Sequence, residues 1–141
     1  MSKAADLEDA FLEEWHRIVA EKDIAALEEL LCEEIELGAP PYWAKLKGRP
    51  VVVHLLSLIV DTVEDFTYQR EWRNAGEYAL EFTGRVGETE LQGIDLISVD
   101  EEGVIRGFDV LMRPVNGVIA LREIIAPQMA EFLSRQGQGE G

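Results

Sequence analysis

Apolar side chains recur at helical spacing in the first thirty residues. Between Leu7 and Val19 they fall on one face of a helix, whereas the glutamates fall largely elsewhere. Lys22 and Asp23 interrupt the pattern, and the Asp23 side chain is suited to cap a second helix. We therefore predict two helices at the start of the chain, each with one apolar face.

Two further helices are predicted later in the chain. Gly48 and Pro50 suit the cap and first turn of a helix that runs roughly from Val51 to Val63 and is apolar on much of its circumference. A closing helix is expected from Gly117, with a break or kink at Pro127 because proline removes a backbone donor. The first of these two helices is expected to be largely buried.

After Asp65 the pattern changes to the two-residue period of strands. The predicted strands are Phe66–Arg73, Tyr78–Val86, Glu90–Val99 and Val104–Arg113. The intervening turns are short and contain glycine, which favours hairpins. A short early strand is expected from Glu34 to Leu37, where charged and apolar residues alternate.

Helices followed by a run of hairpins is the order of an α+β fold. We expect a curved antiparallel sheet that forms a cone, with three N-terminal helices and a C-terminal helix covering it. The 141 residues suit one domain, predicted over residues 1–135. Residues 136–141 are polar and rich in glycine, which predicts a flexible tail.

The charge of the chain restricts its partners. Aspartate and glutamate number 28 against 13 lysines and arginines, a net charge of -15. Such a surface repels nucleic acid and anionic membranes, so neither is expected as a partner. No stretch resembles a signal peptide or a membrane span, and Cys32 is the sole cysteine, so a cytoplasmic protein is expected.

Motifs for metals and cofactors are absent from the sequence. It contains no glycine-rich phosphate loop, nucleophile-elbow serine, HExxH or CxxC motif. His16 and His54 are the only histidines, too few for a histidine-rich metal centre. We therefore predict neither a cofactor nor a metal.

Asp95 stands out because it shares its strand face with apolar residues. Side chains alternate along a strand, so Leu91, Gly93 and Ile97 lie on its side. Loss of hydration there would raise the pKa of the carboxyl and keep it protonated near neutrality. The alternative is that this face is the outer one and that Asp95 pairs with an arginine such as Arg70 or Arg113.

Aromatic and apolar residues from several elements suit the wall of a pocket around Asp95. The alternative for Trp15 is an ordinary core residue, and the alternative for Tyr42 and Trp43 is that they plug the open end of the sheet. The candidate ligand-binding residues are Trp15, Tyr42, Trp43, Phe82, Phe108, Val110 and Met112.

The order of elements, with the segments Lys22 to Leu27, Lys47 to Arg49 and Asp95 to Ile105, resembles the nuclear transport factor 2-like superfamily. Its SnoaL-like and ketosteroid isomerase-like branch is the most similar. These segments are turns and caps, so the resemblance, over residues from about 5 to 130, supports the fold more than an activity.

The resemblance also compares this chain with the isomerase site. Asp95 matches the protonated aspartate of the isomerase oxyanion hole, the standard example of a buried neutral acid. Trp15 takes the place of a tyrosine of that hole, and Ala39 that of the aspartate base. Because alanine cannot move a proton, steroid isomerase chemistry is not expected.

Two functions remain open from the sequence. In the first, the cone binds a small apolar molecule, polyketide-like or a cyclic carbonyl compound, and Asp95 supplies general-acid chemistry for an isomerisation, cyclisation or hydration. In the second, the domain is a non-catalytic module with a vestigial pocket. Its outer sheet face, with Gln92, Ile94, Leu96 and Ser98, would form a homodimer interface.

Overall fold

The computed structural model describes residues 3–139, with side-chain placement left out at 4 and 137–139. The described residues form four helices and six strands. The helices are α1 (Lys3–Glu21), α2 (Ile24–Leu30), α3 (Arg49–Thr62) and α4 (Val115–Gly139). The strands are β1 (Glu36–Gly38), β2 (Leu46–Lys47), β3 (Glu64–Asn74), β4 (Glu77–Val86), β5 (Thr89–Val99) and β6 (Ile105–Arg113).

The sheet confirms the predicted α+β class and adds two features. Its strand order is β2-β1-β6-β5-β4-β3, so the four long strands form the expected antiparallel meander. The sheet is mixed rather than purely antiparallel, because β1 pairs with β6 in parallel. The two-residue strand β2, which the sequence did not predict, pairs with β1.

Helices α2 and α3 have the capping residues that the sequence predicts. The Asp23 side chain accepts a hydrogen bond from the Ala26 backbone N–H at 3.1 Å, which caps α2. Gly48 caps α3 with a φ of 101°, a conformation that favours glycine, and a proline follows in the first turn.

Helix α4 differs from its prediction at both ends. It begins two residues before Gly117, and the Val118 N–H bonds the Pro114 carbonyl oxygen at 3.0 Å. The helix continues through Pro127 to Gly139, so its backbone extends into the predicted tail. The remainder of that tail, residues 140–141, lies outside the described residues. None of the described helices is long and apolar enough to cross a membrane.

The core lies between the helices and the inner face of the sheet. Phe11, Trp15 and Ile18 on α1 are buried, as the helical spacing predicts. On the sheet, Phe82 of β4 lies across Gly93 of β5, where an added Cβ would come within 2.3 Å of the ring. A glycine at 93 therefore leaves room for the phenylalanine beneath the helices.

Candidate functional site: a buried acid and two adjoining cavities

Asp95 lies on the inner face of the sheet. Its neighbours across the ladder are Leu80 of β4 and Val110 of β6, and 6% of its surface is exposed. The Oδ2 atom accepts a hydrogen bond from the Tyr68 hydroxyl at 2.6 Å. No described residue donates a hydrogen bond to Oδ1. One oxygen of the carboxyl group is thus fixed, and the other has no partner among the described residues.

Tyr68 connects Asp95 to Trp15. The indole Nε1–H of Trp15 donates to the Tyr68 hydroxyl oxygen at 3.0 Å. An indole N–H can only donate, so the tyrosine proton is directed to Asp95. The result is a chain of hydrogen bonds from α1 through β3 to β5. The sequence-based list of candidates did not include Tyr68, although Phe66 and Tyr68 alternate as inner-face residues do.

The surroundings of this chain change the acidity of both titratable groups. Burial raises the pKa of Asp95 to about 7, although the Tyr68 hydrogen bond lowers it. Burial, together with the neighbouring carboxylate, raises the pKa of Tyr68 well above its usual range. Near neutrality Asp95 therefore exchanges between an acid that donates and a base that accepts, while Tyr68 stays protonated.

A small cavity adjoins Asp95. Its volume is about 40 Å³, which is space for on the order of three water molecules. The aromatic part of its lining consists of Trp15, Phe66, Tyr68, Phe82 and Phe108. We call this space the inner cavity. Because its wall is mostly apolar, a polar group that enters it finds Asp95 as its principal partner.

A larger apolar space, the outer cleft, lies between α3, α4, β1, β2 and β6. Its volume is about 440 Å³, within the usual range for small-molecule sites. The outer cleft and the inner cavity share Ile59, Val110 and Met112 as lining residues. These three side chains therefore separate the cleft from Asp95.

Comparison with protein-family models and with curated proteins gave no match. Solved structures do match. A steroid delta-isomerase from Pseudomonas aeruginosa is 36% identical, with a TM-score of 0.83 over 91% of this chain and 95% of that one. An uncharacterized protein with a cystatin-like fold from Silicibacter pomeroyi DSS-3 is 32% identical, with a TM-score of 0.82 over 90% and 92% of the two chains.

This chain belongs to the nuclear transport factor 2-like superfamily. An NTF2-like protein of unknown function from Mesorhizobium loti, 18% identical, has the same fold with a TM-score of 0.69 over 81% of this chain and 97% of that one. The resemblance inferred from the caps and turns is therefore confirmed at the level of the superfamily.

In this member of the superfamily the sequence-predicted residues divide between the two spaces. Trp15, Phe82 and Phe108 line the inner cavity, and Tyr42 lines the outer cleft. Val110 and Met112 line both. Ala39, at the position that the resemblance assigns to a base, also lines the outer cleft.

Trp43 does not join these residues. Its side chain is 98% exposed and lines neither the inner cavity nor the outer cleft. It lies in the loop after Pro41, where its neighbour Tyr42 turns towards α4 instead. The aromatic pair in the sequence thus supplies one cleft residue rather than two.

The arginines that the sequence offered as partners for Asp95 lie elsewhere. Arg70 binds Glu81 through Nε at 2.7 Å and Nη2 at 2.8 Å. Arg113 donates to Gln92 Oε1 at 2.8 Å, and Gln92 donates in turn to Glu81. This network covers the outer sheet face, so the alternative in which Asp95 pairs with Arg70 or Arg113 is wrong.

Proposed function

We propose that this domain binds a small apolar carbonyl compound and that Asp95 acts on the carbonyl oxygen as a general acid. The observation that carries the proposal is Oδ1 of Asp95, which has no partner in the described part of the chain and belongs to a carboxyl group with a pKa of about 7 beside an apolar cavity. A neutral carboxyl group can donate to a carbonyl oxygen and stabilise the negative charge that develops there.

The hydrogen-bond chain supports a fixed direction for that donation. Tyr68 donates to Oδ2, so the carboxyl proton belongs on Oδ1. Trp15 holds the tyrosine oxygen and so limits its rotation. In this arrangement Asp95 touches the ligand, while Tyr68 and Trp15 are positioning residues.

The outer cleft would hold the apolar body of the ligand. Its volume of about 440 Å³ suits a small molecule, whereas the inner cavity of about 40 Å³ suits a carbonyl group alone. The oxygen would pass between Ile59, Val110 and Met112. The flexible thioether of Met112 makes such a passage possible with little strain.

Binding of a matched pair of steroids tests this proposal. A 3-ketosteroid and its 3-deoxy counterpart differ only in the carbonyl group. The ketone should bind more tightly than the deoxy compound below the Asp95 pKa of about 7, and this preference should fall as pH rises through 7, because ionised Asp95 no longer donates. Isothermal titration calorimetry on either side of pH 7 measures the preference.

Two variants at the acid and one control make the test specific. Asp95→Leu should abolish the preference for the ketone, whereas Asp95→Asn, whose amide donates at every pH, should make it independent of pH. Asp9→Asn, an exposed aspartate on α1 that pairs with Arg73, should behave like the wild type. A preference with the same pH dependence in Asp95→Asn would refute the role of Asp95.

Isomerisation is the reaction class that the comparisons support, since a similar structure is a steroid delta-isomerase. A β,γ-unsaturated 3-ketosteroid becomes a conjugated enone, which absorbs in the ultraviolet. If the protein catalyses this change, Asp95→Leu should reduce kcat by about 10² to 10³, the usual loss for one oxyanion donor.

A non-catalytic binding module is the second candidate. The small volume next to Asp95 and the alanine at position 39 favour it, because the described lining of the two spaces contains a single carboxylate. Under this alternative the ketone binds with the pH dependence given above, but no conjugated product accumulates. The binding and turnover assays therefore distinguish the two candidates.

A homodimer through the outer sheet face is also proposed. Leu111 is 55% and Trp72 48% exposed there, and the half-exposed Leu96 lies beside Asp109 of β6. Apolar and aromatic residues are enriched at such interfaces. Size-exclusion chromatography with light scattering should give twice the chain mass, and Leu96→Glu should give a monomer. A monomeric wild type at high concentration would reject the interface.

A further inference from the structure

Arg122 differs from most arginines of this acidic chain. Seven others form ion pairs with described carboxylates, namely Arg17, Arg49, Arg70, Arg73, Arg85, Arg106 and Arg135. Arg122 has no described carboxylate within 4.0 Å, although acids outnumber bases by more than two to one. Within the described part of the chain Arg122 therefore has no ion-pair partner, although the neighbouring Glu123 attracts it from a greater distance.

The guanidinium of Arg122 lies at the outer cleft. Arg122, on α4, is a lining residue, and its Nε donates to the Tyr42 hydroxyl oxygen at 2.9 Å. The guanidinium also stacks over the Tyr42 ring at 5.7 Å from the centroid. These two contacts hold the guanidinium in place and leave both Nη groups without a described hydrogen-bond partner.

The other cation of the cleft is already neutralised. Lys45 forms an ion pair with Asp109, with 3.2 Å between Nζ and Oδ1. The remaining lining residues are apolar apart from Tyr42. The cleft therefore presents an apolar wall with one fixed positive group at its rim.

We propose that the outer cleft takes an apolar molecule that carries an anionic group, a carboxylate or sulfonate, which pairs with the Nη groups of Arg122. The proposal rests on the proposed function, in which the cleft holds the apolar body of a ligand. Arginine binds carboxylates and sulfonates through two parallel N–H donors, which fixes the orientation of the ligand as well as its affinity. The anion lies at the rim and the apolar body points towards Val110 and Met112.

Two naphthalene dyes that differ in one sulfonate test the proposal. 1-Anilinonaphthalene-8-sulfonate is anionic, and N-phenyl-1-naphthylamine is its neutral counterpart. Both should bind the wild type and fluoresce. Arg122→Gln should lower the affinity for the sulfonate dye by about tenfold or more, as expected for loss of a charge-assisted hydrogen bond. The affinity of the same variant for the neutral dye should stay within about twofold of the wild-type value.

Three further variants locate the effect. Arg135→Gln, on the same helix but paired with Glu131, should bind both dyes like the wild type. Arg122→Lys should retain part of the preference for the sulfonate, because it keeps the charge without the planar fork. Ala126→Trp, which fills the cleft, should weaken both dyes. Circular dichroism checks that each variant is folded.

The outcomes separate the two proposals. If neither dye binds the wild type, or Ala126→Trp leaves both affinities unchanged, the cleft is not a site for apolar ligands and the proposed function fails. If both dyes bind in the cleft but Arg122→Gln changes them equally or not at all, the proposed function stands. In that case the anionic end group is refuted.

Discussion

Two carboxyl groups on neighbouring strands are shielded from water, yet their pKa values are shifted in opposite directions. Asp95 of β5 is 6% exposed on the inner sheet face, and Glu81 of β4 is 5% exposed on the outer face. Burial raises the pKa of Asp95 to about 7. Hydrogen bonds from Arg70, and then from Gln92, lower the pKa of Glu81 to about 2. Low solvent exposure alone therefore does not decide whether a carboxyl group is protonated.

The two pKa shifts differ because different kinds of side chain shield the two carboxyl groups from water. Glu81 lies beneath polar side chains at the surface, and Arg70 supplies a full charge through two hydrogen bonds. Asp95 lies beneath aromatic rings, and its partner Tyr68 is neutral. Among the described residues, Lys22 is the one cation that lines the inner cavity, and it is paired with Asp61 at 3.3 Å. A neutral donor offsets only part of the lost hydration.

The largest expected effect is on the pH dependence of stability. Because the folded pKa of Asp95 is raised from 3.8 to about 7, its contribution is fully present below pH 3.8 and is lost as pH rises through 7. The free energy of unfolding should fall by up to about 1.4 kcal/mol per pH unit across this window. Urea denaturation of the wild type and Asp95→Asn measures it.

The Asp95→Asn variant should remove this slope, since asparagine does not titrate. Asp9→Asn, the exposed control on α1, should keep it. An equal slope in the wild type and in Asp95→Asn would mean that the inner-face acid titrates as it does in the unfolded chain. The contrast with Glu81 would then disappear.

Tyr68→Phe should have the next largest effect. It removes the donor to Asp95 Oδ2 and leaves the Trp15 indole without an acceptor. We expect a loss of about 1 to 3 kcal/mol in unfolding free energy, greater above pH 7 than below, because the ionised carboxylate loses more from the missing bond. The pKa of Asp95 should rise further, which carbon-13 NMR of the carboxyl group measures.

Tyr78→Phe is the matched control, because Tyr78 is also buried and lies on the adjacent strand β4. It should leave the NMR titration of Asp95 unchanged. If both tyrosine variants shifted that titration equally, general loosening of the core would explain the result better than the specific hydrogen bond.

Glu81→Gln should have the smallest effect on the free energy of unfolding. The contribution of Glu81 should rise with pH, whereas that of Asp95 falls. The folded pKa of Glu81 is lowered from 4.5 to about 2, so its stabilisation is present above pH 4.5 and is lost as pH falls towards 2. The variant should be less stable than the wild type at pH 7 and equally stable near pH 2. The loss is expected to be modest because Arg70 is largely exposed and screened by water.

Guanidinium chloride is ionic, so urea is the appropriate denaturant for this comparison. If Glu81→Gln is still less stable than the wild type near pH 2, the contribution of Glu81 to stability comes from packing rather than from charge.

Most of the fold could be predicted from local patterns. The four long strands were placed within two residues of their observed ends, because hydrophobic alternation and glycine turns are local signals. Strand β2 was missed, since Leu46–Lys47 is too short to carry a period and is defined by its partner β1. The parallel pairing of β1 with β6 joins distant segments and has no local signal either.

The site was less accessible to the same reasoning. The position of Asp95 among apolar neighbours could be inferred from alternation, but its partner Tyr68 could not. Alternation places Tyr68 on the inner face, but β4 lies between β3 and β5 in the sheet, so no local signal indicates that the side chains of Tyr68 and Asp95 meet. Trp43 was instead predicted to line the pocket but is exposed. An aromatic residue in a loop has no periodic pattern that would indicate the direction of its side chain.

The sequence alone therefore determined the class of the fold, its caps and the apolar setting of Asp95, because each depends on residues close together in the chain. Tertiary structure decided that Tyr68 and Trp15 reach that acid, and that Arg70 and Arg113 do not. It also decided that the space between the helices and the sheet consists of a small cavity and a larger cleft. These properties depend on how α1, α3 and α4 pack on the sheet, and packing joins residues whose separation along the chain carries no local pattern.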